Sequence, residues 1–288
     1  MYGVLKSLFG FDGFRDGQEE VVTRLLRGES CSAVLPTGAG KSLCYQLPAV
    51  MFARQGEGLT LVVSPLIALM KDQVDALVVR GIGCARLDST MGAQETRDLY
   101  RRMRRSGTRP AGQTHAARGE ARPGDRREEG GWPGEVEEDR GGEVVLLYVS
   151  PERFRNERFV RALRQCRVAM FVVDEAHCIS EWGHNFRPDY LRLASFAEQA
   201  GARVRLALTA TATPKVAQDM SERLHIPAAS TVRTPFHRPN LALRARRASD
   251  DFTARAAALG QLLAARPPGP TIVYVTLQKT TEEVAEVL

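Results

Sequence analysis

One stretch near the start of the chain has the residue types of a phosphate-binding turn. The segment LPTGAGKS at residues 35–42 follows an apolar run, and its candidate nucleotide-binding residues are Thr37, Gly38, Ala39, Gly40, Lys41 and Ser42. Backbone N–H groups of such a turn, and of a helix that follows it, attract phosphate oxygens. The lysine can reach the β- and γ-phosphates, and the serine hydroxyl can ligate Mg²⁺. Leu35 replaces the first glycine of the usual G-x-x-x-x-G-K-[S/T] pattern, and G-K-[S/T] also arises by chance, so a second element is needed.

That second element is a pair of carboxylates. Asp174 and Glu175 come directly after the strand-like run 169–173 and are followed by His177. Hydrolysis of a Mg²⁺-bound nucleotide needs one carboxylate to hold the hydrated ion and another to polarise the attacking water. We assign these tasks to Asp174 and Glu175, with Ser42 and Asp174 as the predicted Mg²⁺ ligands. The alternative is that the two carboxylates only cap a helix.

Zinc binding is another alternative for the same region. Cys166, His177, Cys178 and His184 lie close together in the sequence, but their spacings match no usual zinc-ligand pattern. We therefore predict magnesium and not zinc.

These residues need a scaffold that brings the ends of strands together. Apolar, strand-like runs lie at 31–35, 59–64, 144–149, 169–173 and 204–208, and helical patterns lie at 152–164, 188–200 and 214–224. This alternation predicts an α/β fold with a parallel sheet covered by helices on both faces. Ligands bind at the carboxyl ends of the strands in such folds, which is where both motifs lie.

Composition narrows the class of protein. Of the 288 residues 43% are hydrophobic and 26% charged, which excludes a wholly disordered or collagen-like chain. No apolar run approaches 18 residues and the first residues lack a signal-peptide core, so we predict no membrane segment and a cytoplasmic protein. The five cysteines are scattered, as expected for reduced thiols. A net charge of +6 is compatible with nucleic-acid binding but only weakly supports it.

Two segments interrupt the alternation. Residues 106–143 are rich in glycine and charge and poor in apolar groups, and we predict a disordered insertion there. An interaction arm, first basic and then acidic, is the alternative. Residues 236–269 form a second break, predicted as a linker, and beyond it come a predicted strand at 271–275 and a predicted helix at 280–288.

Two longer stretches, KSLCYQLPA at 41–49 and DEAHCISEWGHNFRPDY at 174–190, resemble the RecQ family of superfamily 2 DNA helicases. The resemblance continues in residues 11–18, 63–73, 148–154, 208–213, 238–241 and 272–274. It implies a RecA-like P-loop NTPase lobe over residues 1–235 and the start of a second RecA-like lobe at 270–288. It also implies ATP and Mg²⁺ as cofactors and both single-stranded and duplex DNA as partners.

The resemblance also implies roles for individual residues. Phe11 would stack on adenine while Arg15 and Gln18 hydrogen-bond to it, whereas Phe14 is better explained by core packing. His177, Thr209 and Thr211 would couple the nucleotide site to DNA. The implied DNA contacts are Ser64, Lys71, Arg153, Trp182, His184, Phe186 and Arg187. Aromatic faces stack on any base and arginine neutralises phosphate, so this set suits a single strand of any sequence.

At the level of activity, the resemblance implies ATP-driven 3′-to-5′ translocation and duplex unwinding, in DNA repair and recombination and, in a bacterium, at the nucleoid. A segment of the form Q-x-x-G-R-x-G-R, which carries the arginine fingers of the second lobe, is not found in residues 1–288. We therefore expect this chain by itself to bind ATP–Mg²⁺ and DNA but to unwind poorly. Two alternatives stay open: a helicase-like binding module without turnover, and an RNA helicase of the DEAH type.

Overall fold

The computed structural model describes residues 1–105, 143–182, 185–236 and 241–287. The chain divides into two compact units, Met1–Phe236 and His237–Leu288, which are taken in turn. The predicted insertion, apart from Glu143, lies outside the described residues, and so do His184 and residues 238–240.

The first unit is built on a seven-stranded sheet. Its strands are β1 (Cys31–Val34), β2 (Leu59–Val63), β3 (Cys84–Leu87), β4 (Leu146–Val149), β5 (Val168–Val173), β6 (Val204–Thr209) and β7 (Thr231–Arg233). They are ordered β3-β4-β2-β5-β6-β1-β7, and every pair is parallel. The inner strands are buried along their whole length or nearly so, as expected when both faces are covered.

Helices cover both faces of this sheet. In chain order they are α1 (Tyr2–Val4, continued by a π-helical turn at Leu5–Phe9), α2 (Gln18–Leu26), α3 (Leu43–Arg54), α4 (Ile67–Val78), α5 (Ala93–Arg105), α6 (Glu157–Arg164), α7 (Leu193–Ala200) and α8 (Pro214–Leu224). Helices α2, α3 and α4 pack into one apolar cluster, and α5 to α8 pack into a second on the opposite face. The predicted α/β lobe with a parallel sheet and two helical layers is therefore confirmed.

The two edge strands were not predicted. Both β3 and β7 are short, and each contains an arginine among its few residues, so neither has the apolar run that marks a buried strand. An edge strand is open to solvent on one side and does not need such a run. These residues form strands because β3 pairs with β4 and β7 pairs with β1, and such pairing exists only in the folded chain.

Two predicted helices are each divided. The pattern at 152–164 becomes a 3₁₀ turn, Pro151–Arg155, followed by α6. The break lies at Asn156, whose side chain accepts hydrogen bonds from the N–H groups of Arg158 and Phe159 and so caps the new helix. In the same way, 188–200 becomes a 3₁₀ turn, Pro188–Arg192, followed by α7.

The second unit contains two helices in its described part, α9 (Phe252–Ala264) and α10 (Gln278–Val287). Helix α9 lies inside the segment predicted as a linker. It forms because an alanine- and leucine-rich run follows Asp251, whose side chain accepts a hydrogen bond from the Ala254 N–H. The strand predicted at 271–275 was wrong: those residues have no regular secondary structure and are mostly exposed, and no described strand pairs with them. None of the described helices has the length and apolar content needed to cross a bilayer.

Close backbone approach fixes how β2 meets β5. Gly58 precedes β2 with a φ of +114°, and a Cβ at this position would lie 2.2 Å from the carbonyl oxygen of Arg167, the residue before β5. The next N–H, that of Leu59, donates to the same oxygen at 2.9 Å. Because only glycine permits this approach, Gly58 sets the register that carries Asp174 to its place at the end of β5.

We predict that Gly58→Ala destabilises the lobe by about 3 kcal/mol or more, because it adds a backbone clash to an unfavourable φ. Gly56→Ala is the matched control: its φ is +68° but nothing lies within 4 Å of an added Cβ. It should cost only about 1 kcal/mol. Urea unfolding followed by far-UV circular dichroism measures both, and equal losses would show that the contact with Arg167 does not constrain the fold.

Candidate active site

Three neighbouring strands deliver the predicted chemical groups to one edge of the sheet. The phosphate-binding turn follows β1, Thr209 ends β6, and Asp174 follows β5. Since the order is β5-β6-β1 and the strands are parallel, all three groups leave the sheet at its carboxyl edge. This is the place where parallel α/β sheets bind ligands.

The turn at residues 35–42 has two glycines in the left-handed region of backbone conformation and leads directly into a helix. Gly38 and Gly40 have φ values of +82° and +75°, and Ser42 immediately precedes α3. Among the described residues, no acceptor is found for the backbone N–H groups of Gly38, Gly40, Lys41 or Ser42. Unpaired N–H groups at the start of a helix favour an anion.

Arg15 and Gln18 hold this turn from behind. The Arg15 guanidinium donates to the Gly38 carbonyl at 2.5 Å, and the Gln18 amide nitrogen donates to the carbonyls of Ala39 and Gly40 at 2.9 and 2.8 Å. The Gln18 amide oxygen in turn accepts from the Arg15 N–H at 2.8 Å. Both amide hydrogens of Gln18 are therefore engaged within the protein, so here it supports the turn.

A cavity of about 350 Å³ lies beside the turn and takes in all three residues predicted to contact adenine. Phe11, Arg15 and Gln18 line it together with Gly40 and Ser42. The Phe11 residue is 46% exposed, unusually open for a phenylalanine, and so has a face free to stack. Phe14 instead packs edge-on against Tyr2, consistent with a packing role.

The acidic pair lies close to Lys41. Burial raises the pKa of Asp174 to about 6, with a further upward contribution from the Glu175 charge. The positive charge of Lys41 lowers the pKa of both carboxyls. The structure thus brings the lysine of one motif to the carboxylates of the other, 133 positions along the chain.

His177 connects the acidic pair to the end of β6. Its Nδ1 lies 3.2 Å from Glu175 Oε2 and 3.0 Å from Thr209 Oγ1. Contacts with the Cys178 thiol and then with the Glu175 carboxylate raise the pKa of His177 to about 9, so its ring is charged at neutral pH. The same contact with His177 is the main reason that the pKa of Glu175 is lowered. The Thr209 hydroxyl also donates to the Thr211 carbonyl at 3.0 Å, so both predicted threonines belong to this network.

The donor set suits Mg²⁺ bound together with a nucleotide. Among the described residues, no group of three or more His, Cys, Asp or Glu side chains converges as a metal cage. A Mg²⁺ ion held by one carboxylate, one hydroxyl and phosphate oxygens needs no such cage. The buried Asp174, whose charged form is disfavoured by its surroundings, would be stabilised by a divalent cation.

Of the predicted DNA contacts, Trp182, Phe186 and Arg187 lie in one exposed loop. Trp182 is 74% exposed and Phe186 36%. The base of the loop is fixed, because the buried Ser180 hydroxyl donates to Asp219 of α8 at 2.6 Å and accepts from the Trp182 N–H at 3.2 Å. Beside the loop is a cleft of about 270 Å³, lined by His177, Trp182, Thr211, Ala212, Thr213, Val216 and Phe236.

The other predicted DNA contacts are dispersed. Ser64 is only 3% exposed, and its hydroxyl lies 3.4 Å from Asp174 Oδ2, which places it with the acidic pair and away from the surface. Lys71 is exposed on α4. The Arg153 guanidinium donates to the Asp88 carbonyl, so it is partly engaged within the protein.

Sequence reasoning missed several residues of this region. Gln46 and Gln73 line the same cavity as Phe11, and Phe236 lines the same cleft as Trp182. Phe236 follows β7 at the carboxyl edge, so recognising that edge strand would have identified it. The two glutamines lie within the stretches 41–49 and 63–73 that carry the family resemblance, which assigned them no role.

Comparison with known proteins agrees with this geometry. Residues 15–115 and 128–220 match the DEAD/DEAH box helicase family. The ATP-dependent DNA helicase RecQ of Bacillus subtilis is 39% identical over 243 residues, which is 84% of this chain and 34% of that protein. A probable ATP-dependent DNA helicase RecS of the same organism is 36% identical over 98% of this chain and 48% of its own length. The chain thus spans between a third and a half of the length of these two relatives.

Solved structures share the fold. The helicase MrfA has a TM-score of 0.63 at 15% identity, over 99% of this chain and 40% of that one. The Hef helicase domain of Pyrococcus furiosus has a TM-score of 0.53 at 17% identity, over 82% of this chain and 40% of that one. With the phosphate-binding turn, the acidic pair and these matches together, the chain belongs to the DEAD/DEAH box helicase family, and its relatives within that family include the RecQ-type helicases.

Proposed function

We propose that this lobe binds ATP with Mg²⁺ and hydrolyses it in response to single-stranded DNA, as one motor lobe of a RecQ-type DNA helicase. The observation that carries the proposal is the meeting of Lys41 with Asp174 and Glu175 at one sheet edge, with His177 joining Glu175 to Thr209. A motor lobe needs a nucleotide site and a connection that carries the state of that site to the DNA-binding surface.

Each residue of the site has a distinct task. The free N–H groups of the turn and the Lys41 ammonium bind the phosphates, and Ser42 and Asp174 hold the metal. Mg²⁺, when bound, neutralises charge on the phosphate oxygens. Glu175, whose pKa is lowered, stays ionised and orients the attacking water as the acceptor of its proton.

The exposed loop supplies the DNA contact. Trp182 and Phe186 offer ring faces for stacking, and Arg187 offers a charge for phosphate. His177 lines the cleft beside Trp182 and also contacts Glu175, so a strand seated there would touch the network that ends at the catalytic carboxylate. This supports coupling of hydrolysis to DNA.

For the whole protein, the likeness to the ATP-dependent DNA helicases RecQ and RecS supports ATP-driven DNA unwinding. The 3′-to-5′ direction of translocation on single strands is what the family resemblance of the motifs implies. Related nucleotide hydrolases gain about 10³–10⁵ in rate from an arginine finger, and a segment carrying one is not found among residues 1–288. This chain alone should therefore bind ATP–Mg²⁺ and DNA but unwind poorly. Robust ATP-driven strand displacement by the 288 residues would contradict that expectation.

We predict that Lys41→Ala lowers DNA-stimulated phosphate release by about 100-fold or more, because the substitution removes the positive charge that stabilises the phosphates. The matched control is Lys279→Ala on α10, an exposed lysine of the second unit, which should leave the rate unchanged. Phosphate release with and without a single-stranded oligonucleotide measures both. Equal, near-zero release by the wild type and Lys41→Ala would favour a binding module without turnover.

Thr209→Val should uncouple hydrolysis from DNA. The change keeps the shape but removes the hydroxyl that contacts His177 and Thr211, so we expect DNA stimulation to fall by about tenfold, equivalent to about 1.4 kcal/mol. ATP affinity should not change. Thr231→Val in the edge strand β7 is the control. Unchanged stimulation in Thr209→Val would exclude this network as the link.

Trp182→Ala should weaken binding of a single-stranded DNA oligonucleotide by about tenfold, because base stacking on an aromatic face contributes about 1–3 kcal/mol. Trp182→Phe keeps a ring face and should retain most of the affinity. Fluorescence anisotropy of a labelled oligonucleotide measures both, with unlabelled DNA and RNA of the same sequence as competitors. Stronger competition by RNA would instead support a DEAH-type RNA helicase.

A further inference from the structure

The loop that carries Trp182 is joined to the rest of the lobe at a buried carboxylate of α8. Asp219, which supplies this carboxylate, is 6% exposed, and Ser180 at the start of the loop is fully buried. The Ser180 hydroxyl donates to Asp219 Oδ2 at 2.6 Å and accepts from the Trp182 N–H at 3.2 Å. One hydroxyl therefore connects the backbone of Trp182 to the carboxylate of α8.

One face of α8 carries the charges that complete this anchor. Lys215, Asp219 and Arg223 are four residues apart and so share a face of the helix. Lys215 Nζ lies 3.1 Å from Asp219 Oδ1, the oxygen that Ser180 does not use. Arg223 lies 3.6 Å from the carboxylate of Glu181 in the loop. Burial disfavours the charged form of Asp219, but the Ser180 hydroxyl and Lys215 lower its pKa, so the carboxylate is ionised at neutral pH.

The same helix contributes to the cleft beside Trp182. Thr211 and Thr213 lead into α8 and Val216 belongs to its first turn, and all three line this cleft. Thr213 caps the helix, since its side chain accepts from the Val216 N–H at 3.3 Å. Anchoring the loop to Asp219 therefore fixes where the backbone of Trp182 lies relative to the other residues of the cleft.

The ring of Trp182 depends on this anchor because little else holds it. The residue is 74% exposed, and within the described part of the chain its ring has no stacking or cation–π contact. A ring on an unanchored loop samples many positions, and fixing it on a DNA base costs conformational entropy. An anchored backbone has lost part of that entropy before DNA binds, so the affinity for DNA is higher.

We propose that Asp219 is a positioning residue for DNA binding: through Ser180 it holds the backbone of Trp182 where the ring can stack on a base of a single strand. The inference rests on the proposed function, since it takes the loop to contact DNA.

The sign of the effect distinguishes this role from a direct one. The Asp219 carboxylate is negative, and by charge alone it would repel the phosphates of a DNA strand. It favours DNA binding only by ordering the loop. Loss of the carboxylate therefore weakens DNA binding if Asp219 positions Trp182, and strengthens it if charge is all that matters.

Replacement of Asp219 in the full chain tests that sign. Asp219→Ala should weaken binding of a labelled single-stranded DNA oligonucleotide by about fivefold, because the order of the loop is lost. Glu222→Ala is the matched control, since Glu222 is an exposed carboxylate of the same helix that contacts Gln218. It should leave DNA affinity unchanged or slightly higher. The affinity for ATP with Mg²⁺, measured by displacement of its fluorescent N-methylanthraniloyl derivative, should stay the same in both variants.

Two further variants connect the effect to the hydrogen-bonded path. Ser180→Ala breaks the same path, so it should weaken DNA binding about as much as Asp219→Ala, and the double variant should be no weaker than either single one. In a Trp182→Ala background, Asp219→Ala should change DNA affinity less than about twofold, because the side chain that it positions is gone. A merely structural role of Asp219 would produce its full loss in that background.

The fluorescence of Trp182 reports the order of the loop without DNA. The chain has two tryptophans, Trp132 and Trp182, so Trp132→Phe leaves Trp182 as the single emitter. In that background we expect Asp219→Ala to lower the fluorescence anisotropy of Trp182 and Glu222→Ala to leave it unchanged. A thermal unfolding curve confirms that each variant is folded at the temperature of the measurements.

The outcomes are distinguishable. Weaker DNA binding in Asp219→Ala and Ser180→Ala, with unchanged ATP affinity and lower Trp182 anisotropy, supports the proposal. Wild-type DNA affinity in both variants, an equal loss of ATP affinity, or a full loss in the Trp182→Ala background overturns it and leaves the proposed function standing. Failure of the wild type to bind the oligonucleotide would instead overturn the DNA contact of the proposed function, and this inference with it.

Discussion

The parallel register of β1, β6 and β5 is the constraint on which the site depends. Val34 pairs with Thr209, and Val173 pairs with Ala207, so these strands end almost level with one another. The phosphate-binding turn, the Thr209 hydroxyl and the acidic pair therefore leave the sheet side by side. Gly58 supports this arrangement from the other end of the sheet, because the absence of a side chain there lets the start of β2 approach the start of β5.

Charge balance gives this edge its chemistry. Asp174 is buried enough that its pKa is raised to about 6, whereas the neighbouring Glu175 is kept ionised by His177. Two adjacent carboxyls thus have different protonation behaviour because their surroundings differ. The carboxyl with the raised pKa suits a metal ligand, and the ionised one suits a proton acceptor. The same His177 ring extends the site to Thr209 and to the cleft beside Trp182, where the family resemblance places DNA.

Two sets of hydrogen bonds brace the region around the phosphate-binding turn. Arg15 and Gln18 hold the turn by its carbonyls, and within the described residues the N–H groups of Gly38, Gly40, Lys41 and Ser42 have no acceptor. A second chain of hydrogen bonds, buried beyond its first member, runs from Gln73 through Gln46 and Tyr148 to Tyr45. Buried polar groups joined in this way have a unique arrangement, because each must satisfy its neighbour.

The sequence by itself determined the α/β class, the five inner strands, the phosphate-binding turn and the acidic pair, because continuous apolar runs and the residues that follow them are local signals. It did not determine the edge strands β3 and β7, which are short and contain arginine, or the helix α9 within a presumed linker. Only the tertiary structure decided the hydrogen-bond partners of Gln18 and Gln46. Gln46 contacts Gln73 and Tyr148 from 27 and 102 positions away, and contacts of that kind depend on how α3 packs against α4 and the sheet.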